Sequence, residues 1–136
     1  MTLKLKNIAC WLLRLVAAVI MLQTLLFKFT AAPESVYIFS TLGMEPWGRI
    51  GIGILELIAS LLILFPRTTA FGALLGLGVM GGALFFHLTK LGIVVQNDGG
   101  ELFIYALLVF TSCLILAIVY RQQVLRLLFN AKSATI

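Results

Sequence analysis

Four apolar stretches, residues 8–27, 47–65, 68–86 and 102–120, take up most of this 136-residue chain. Each is about 19–20 residues long, the length a helix needs to cross the hydrocarbon core of a bilayer. Residues 68–86 and 102–120 contain no charged side chain at all. The chain therefore reads as an all-α membrane protein: one domain over residues 1–136, built as a bundle of four transmembrane helices.

Composition agrees. Hydrophobic residues make up 62% and charged residues 11% of the chain, against about 25% charged in soluble domains. No room remains for a separate soluble domain, so any large extramembrane catalytic part belongs to another polypeptide. The net charge of +5 does not point to nucleic acid, because the basic residues form no tract with interleaved aromatics. They gather at helix ends instead. With the amino terminus inside, Lys4, Lys6, Arg67, Arg121, Arg126 and Lys132 face the cytoplasm, and Lys28, Arg49 and Lys90 face the other side. That excess places both termini in the cytoplasm. The first span is expected to be retained rather than cleaved: its apolar run is long, Arg14 interrupts it, and Pro33 sits where cleavage would fall.

Between the spans, residues 35–42 predict a short interfacial helix or turn stopped by Gly43. Pro46 and Trp47 open the second span, and Phe65-Pro66-Arg67 closes it in a tight turn, making spans two and three antiparallel neighbours. Gly72 with Gly76, and Gly78 with Gly82, are two small-residue pairs that permit close helix approach. Asn97-Asp98-Gly99-Gly100 reads as a turn. Residues 121–129 form an amphipathic tail that extends the fourth span or lies along the cytoplasmic leaflet. Cys10 and Cys113 lack CxxC spacing and read as packing residues.

Charge within hydrocarbon costs at least ~2.5–3.5 kcal/mol, so each ionisable residue there needs a partner or a purpose. Arg14 and Glu56 lie about 9 Å in from opposite ends of their helices at ~1.5 Å per residue. Arginine's reach would close most of the offset, which suggests an Arg14–Glu56 pair. On 100° steps Arg14, Ala18, Met21, Leu25 and Lys28 share one stripe of the first span. Arg49, Gly53, Glu56 and Ser60 share another on the second, and Gly72, Gly76, Met80, Ala83 and His87 a third. Glu101, Tyr105 and Ser112 share a face of the fourth more loosely; Gln23 falls opposite Arg14. If these stripes meet, Lys28, Arg49 and His87 reach similar depth beside Asp98 and Glu101.

Such a cluster suits an anion or a quinone headgroup. Glu56 and His87 are the candidate proton relay; Lys28, Arg49, Arg14, Asp98 and Tyr105 are candidate ligand-binding residues. Plainer readings stand beside these: snorkelling for Lys28 and Arg49, a satisfied interfacial histidine for His87, a structural counter-ion for Arg14. One histidine excludes bis-histidine haem ligation, and no metal-ligand cluster is evident. No nucleophile, phosphate-loop or dinucleotide motif is present.

Several strings, in this order, resemble the DoxX family of small bacterial four-helix membrane proteins. They are Lys28-Phe29-Thr30, Leu42-Gly43-Met44-Glu45-Pro46, Gly53-Ile54-Leu55-Glu56, Pro66-Arg67-Thr68, His87-Leu88-Thr89 and Asp98-Gly99-Gly100, together with Arg14. The resemblance covers nearly the whole chain. It implies a multi-pass protein of the bacterial inner membrane that works as a component of a membrane redox system. Some relatives are the membrane subunit of a thiosulfate:quinone oxidoreductase, and others associate with redox enzymes. It implies redox partner subunits; a homo-oligomer stands beside them as another assembly, and the residues themselves point to no intrinsic cofactor. With no electron-carrying residue of its own, the chain would rely on a bound quinone or a partner. Two further classes stand beside this one: a small proton-coupled transporter using an Arg14–Glu56–His87 ladder, and a structural or assembly subunit that docks a partner through its glycine faces.

Overall fold

The computed structural model describes residues 2–134, with side chains as far as Asn130, so Lys132 falls outside that description. Helix α1 spans Leu3–Phe29, α2 Pro33–Thr41, α3 Trp47–Leu64, α4 Thr69–Phe86, α5 Glu101–Val119 and α6 Arg121–Ala134. Helices α1, α3, α5 and the run Thr69–Leu91 are each long and apolar enough to cross a membrane. They form a ring in which α1 packs on α3, α3 on α4, α4 on α5, and α5 back on α1. The apolar stripes face the middle: Ala17, Ala18, Met21, Ala59, Ile63, Ala73, Val109, Cys113 and Leu116 are fully or almost fully buried. Large residues such as Val19, Leu61, Phe85 and Ile118 face outward, as a lipid-facing surface requires.

Some boundaries differ from those read off hydropathy. Helix α1 begins at Leu3, where the Thr2 side-chain oxygen accepts the Leu5 amide at 3.3 Å and caps the first turn. The interfacial segment is the helix α2, with Pro33 in its first turn. It is bracketed by two left-handed residues, Ala31 at φ +54° and Gly43 at φ +73°. Helix α4 continues into a widened π turn, His87–Leu91. A break at Tyr120 separates α5 from α6, so the tail is a distinct helix.

The two glycine pairs of α4 do different things. A methyl group on Gly72 would lie 2.6 Å from the Ile63 amide nitrogen and 2.7 Å from the Ala59 carbonyl oxygen, so α3 and α4 touch backbone to backbone there. On Gly76 it would meet the Cys113 sulfur at 2.7 Å. Gly78 and Gly82 have nothing within 4 Å. The second pair therefore is not a close-packing motif; it leaves space.

Two arginines tie α1 to α3 at opposite ends. The last carbonyls of a helix have no partner within it, and hydrocarbon offers no water to serve them. Arg14 of α1 donates from Nε to Ile63 O at 2.9 Å and from Nη2 to Leu64 O at 2.8 Å, capping α3. Its guanidinium lies 3.7 Å from the centre of the Trp11 ring. Thr68 and Thr69 serve the neighbouring carbonyls, Thr68 Oγ1 donating to Leu62 O at 2.8 Å and Thr69 Oγ1 to Ile63 O at 3.2 Å. At the far end Arg49 of α3 donates from Nη1 to Lys28 O in the last turn of α1. Its Nε–H is also shared between the two carboxylate oxygens of Glu45, at 2.9 and 3.0 Å. Each guanidinium thus meets the negative end of a neighbouring helix dipole. An Arg14–Glu56 pair does not form, because Arg14 is level with the last turn of the antiparallel helix and finds those carbonyls first.

Two stability outcomes follow, both readable by thermal unfolding in detergent. Gly72→Ala should destabilise by about 1–3 kcal/mol, the usual cost of overpacking; Gly82→Ala, with free space around it, should be neutral or gain up to roughly 1 kcal/mol of helix propensity. Arg14→Met should cost about 3–6 kcal/mol for two charged hydrogen bonds. Combined with a substitution at Glu56, it should add to within about 0.5 kcal/mol, as for uncoupled sites. A large non-additive term would mean that Arg14 and Glu56 interact after all.

Candidate functional site

A cavity of about 300 Å³ lies in the half of the bundle nearer α2. Its walls come from the second half of α1, from α2, from Ile52 and Glu56 of α3, from the end of α4, and from the start of α5. Met21, Phe27, Phe39, Ile52 and Phe86 make it largely apolar, and Gly78 and Gly82 keep side chains out of it. It is a site built from parts of five helices.

Glu56 is the buried polar centre, with 2% of its surface exposed. Its partner is Lys28, whose Nζ lies 3.1 Å from Glu56 Oε2; Thr24 Oγ1 lies 3.5 Å from the same oxygen. Lys28 reaches inward from the last turn of α1 instead of snorkelling out to the surface. The geometry gives the ion pair two shared functions: it neutralises a carboxylate in a low-dielectric interior, and it leaves the other ammonium N–H groups available as donors.

His87 begins the π turn and is buried. Its Nδ1 lies 2.9 Å from Gly92 O, and its ring meets Phe103 edge to face, centroids 5.7 Å apart. A carbonyl only accepts, so Nδ1 carries a proton and, in the neutral ring, Nε2 is the acceptor. Gly92 closes this turn at φ +78°, a conformation that glycine adopts at no steric cost. Across the cavity Tyr105 donates from its hydroxyl to Glu101 Oε1 at 2.7 Å.

Of the residues singled out in the sequence, Glu56, His87, Lys28 and Tyr105 line the cavity together. Arg14, Arg49 and Asp98 do not. Both arginines cap helices, which also dismantles the Arg14–Glu56–His87 ladder. Asp98 is the hinge of its turn: Oδ1 accepts the Val95 and Gly100 amides at 3.0 and 2.8 Å, and Oδ2 the Leu102 amide at 3.2 Å. Burial pushes the Asp98 carboxyl up, but those three amides and nearby His87 outweigh it and hold it below the usual carboxylate range. Its charge is committed to starting α5.

Gln23, Thr24 and Glu34 also line the cavity, beyond the residues that the sequence marks. The insertion cost of a carboxamide in an apolar span was a signal for Gln23, and Thr24 lies one turn before Lys28. For Glu34 the sequence carries no such signal: the interfacial segment reads as residues 35–42, and only the observed start of α2 at Pro33 brings Glu34 into its first turn. Glu34 Oε1 is buried without a hydrogen-bond partner among the described residues. Burial, then the charges of Asp98 and Glu101, raise the Glu34 carboxyl above its ordinary value of 4.5. Among the described residues no three His, Cys, Asp or Glu side chains gather as metal ligands.

Folding favours the protonated form of Glu34, because its folded value lies above its unfolded one. That contribution is fully present below pH 4.5 and is lost as pH rises through the raised value. Glu34→Gln should therefore melt higher than the parent at neutral pH, with the difference shrinking toward pH 4.5. Melting curves between the two conditions check this; a difference independent of pH would show that ionisation of Glu34 carries no penalty.

The model of the DoxX-like family matches residues 12–114, a range that holds Lys28, Glu56, His87 and Tyr105. Neither a curated protein nor a solved structure matched the chain. With that match running from the first span into the fourth, and with four helices suited to crossing a membrane, the chain belongs to the DoxX-like family and is an integral membrane protein.

Proposed function

We propose that this protein is the quinone-binding membrane component of a redox system, seated in the bacterial inner membrane as a single multi-pass domain with both termini in the cytoplasm. The observation that carries the reading is the largely apolar cavity with the Lys28–Glu56 pair in its wall. Its volume of about 300 Å³ stands at the lower end of small-molecule sites, a scale suited to one substituted ring.

The charge balance of the lining supports a quinone over a small anion, the two ligand classes that the sequence suggests. Three carboxyl groups, Glu34, Glu56 and Glu101, face the cavity against the single ammonium of Lys28, and that ammonium is already paired. Arg49, the other candidate cation, is bound to Glu45 and to α1. A small anion would enter against this balance; a neutral quinone would not. The flat apolar ring suits Phe39, Phe86 and Met21, and its carbonyl oxygens need a donor of the kind that the Lys28 ammonium supplies, the Tyr105 proton being given to Glu101.

A bound quinone would supply two-electron, two-proton redox chemistry, with the electrons exchanged through a partner subunit. This chain's own residues bind and orient the ring, exclude water, and hold protons. Lys28 donates to the ligand while Glu56 balances its charge, and Glu56 can take or return a proton at Oε1 or Oε2. His87, fixed by its Nδ1–H bond to Gly92, keeps Nε2 as a second proton acceptor.

The decisive variant removes the pair without leaving a lone charge. Glu56→Gln alone strands a buried ammonium and should cost about 3–5 kcal/mol of stability. Lys28→Met/Glu56→Met should melt within about 1–2 kcal/mol of the parent, since paired removal of a buried ion pair is often near neutral. The same double variant should bind a short-tailed benzoquinone at least about tenfold more weakly, the worth of roughly 1.4 kcal/mol. Titration calorimetry on purified protein checks this. Unchanged affinity in the double variant, or no saturable binding by the parent, would sink the reading.

A further inference from the structure

Charge is divided unevenly between the two ends of the bundle. At the α2 end Lys28 and Arg49 are paired with Glu56 and Glu45, and Glu34, Asp98 and Glu101 lie nearby. At the opposite end Lys4, Lys6, Arg67, Arg121 and Arg126 are all exposed. The chain's five acidic residues, Glu34, Glu45, Glu56, Asp98 and Glu101, are all elsewhere. This end is a field of cations with no side-chain carboxylate to answer it.

Helix α6 is fixed within that field. The Gln123 carboxamide bridges it to the α3–α4 turn: Oε1 accepts the Ala70 amide at 2.9 Å, and Nε2 donates to Pro66 O at 2.7 Å. The helix bearing Arg121 and Arg126 is thereby held against the turn bearing Arg67. On 100° steps Val124, Leu125, Leu127 and Leu128 fall in one arc of α6, which Arg121 heads at the helix start, and Gln122, Arg126 and Asn130 fall in the opposite one. Leu127 and Leu128 are 55% and 61% exposed, so the bundle does not cover this apolar side; Phe129, also exposed, sits at its border beside Gln122.

Exposed apolar side chains beside unpaired guanidinium groups match the headgroup boundary of an anionic leaflet. Leucine and phenylalanine enter the acyl region there, and arginines meet phosphate oxygens with forked hydrogen bonds. We propose that α6 and the α3–α4 turn together form a binding surface for anionic phospholipid headgroups, with Arg67, Arg121 and Arg126 as its phosphate contacts. This surface lies at the other end of the molecule from the cavity, and α6 lies beyond the residues matched by the family model. It does not depend on what the cavity binds.

Native mass spectrometry of the full chain, with phosphatidylglycerol and phosphatidylcholine added in equal amounts, tests the assignment. The parent should retain phosphatidylglycerol preferentially, and raised salt should weaken that preference by screening. Each basic residue near an anionic surface contributes about fivefold, so Arg67→Gln/Arg121→Gln/Arg126→Gln should cut the preference on the order of 100-fold. These side chains are exposed, so the triple variant should melt like the parent. Lys90→Gln, at the other end, should leave the preference unchanged. Equal retention of the two lipids by the parent would overturn the proposal and leave this face to an acidic protein. An undiminished preference in the triple variant, or an equal loss in Lys90→Gln, would overturn it too.

Discussion

A helix that ends in or near hydrocarbon leaves carbonyl oxygens that water cannot reach, and their satisfaction organises this molecule. Arg14 of α1 serves the end of α3, and Arg49 of α3 serves the end of α1. The exchange is possible only because the two helices are antiparallel, so that each presents an early or middle turn to the other's last one. It fixes the α1–α3 pair in rotation and in depth at once. Gly72, which lets α4 touch the α3 backbone, then positions the third span against a partner that is already held.

This use of the arginines determines the charge state of the interior. Once both guanidiniums are committed to backbone carbonyls or to Glu45, Lys28 is the cation left for Glu56. Its four-carbon stem passes from the end of α1 into the bundle, which sets the ion pair in the cavity wall rather than at the surface. In the same wall the Thr24 hydroxyl, which donates to Met21 O at 2.9 Å, lies 3.5 Å from the same carboxylate oxygen. Protein interiors retain such pairs at a desolvation cost, and here the pair faces space that a ligand can fill.

The spans, their antiparallel order and their inward stripes are legible in the residues, because hydropathy and the 100° step depend on local pattern alone. Arg49, Gly53, Glu56 and Ser60 are all buried, as their shared phase requires. Partner choice is less legible. Arg14 has a carboxylate within plausible reach along the chain, but a carbonyl pair at its own level is nearer in space, and depth along an antiparallel neighbour is a tertiary quantity. Spacing likewise fails to distinguish Gly72 from Gly82, since both have a glycine four residues away and only packing tells contact from void. Glu34 and Thr24 join the site through the placement of α2 and the inward lean of Lys28, which no single helix wheel contains.

The bare backbone at Gly78 and Gly82 has a consequence of its own. The chamber's bore is set on that side by hydrogens rather than by side chains, and neither position bears on the contacts that hold the helices together. Its calibre can therefore be narrowed one methyl at a time while the surrounding scaffold stays as it is. The girth of the chamber and the durability of its walls are, at these two positions, separate properties of the same helix.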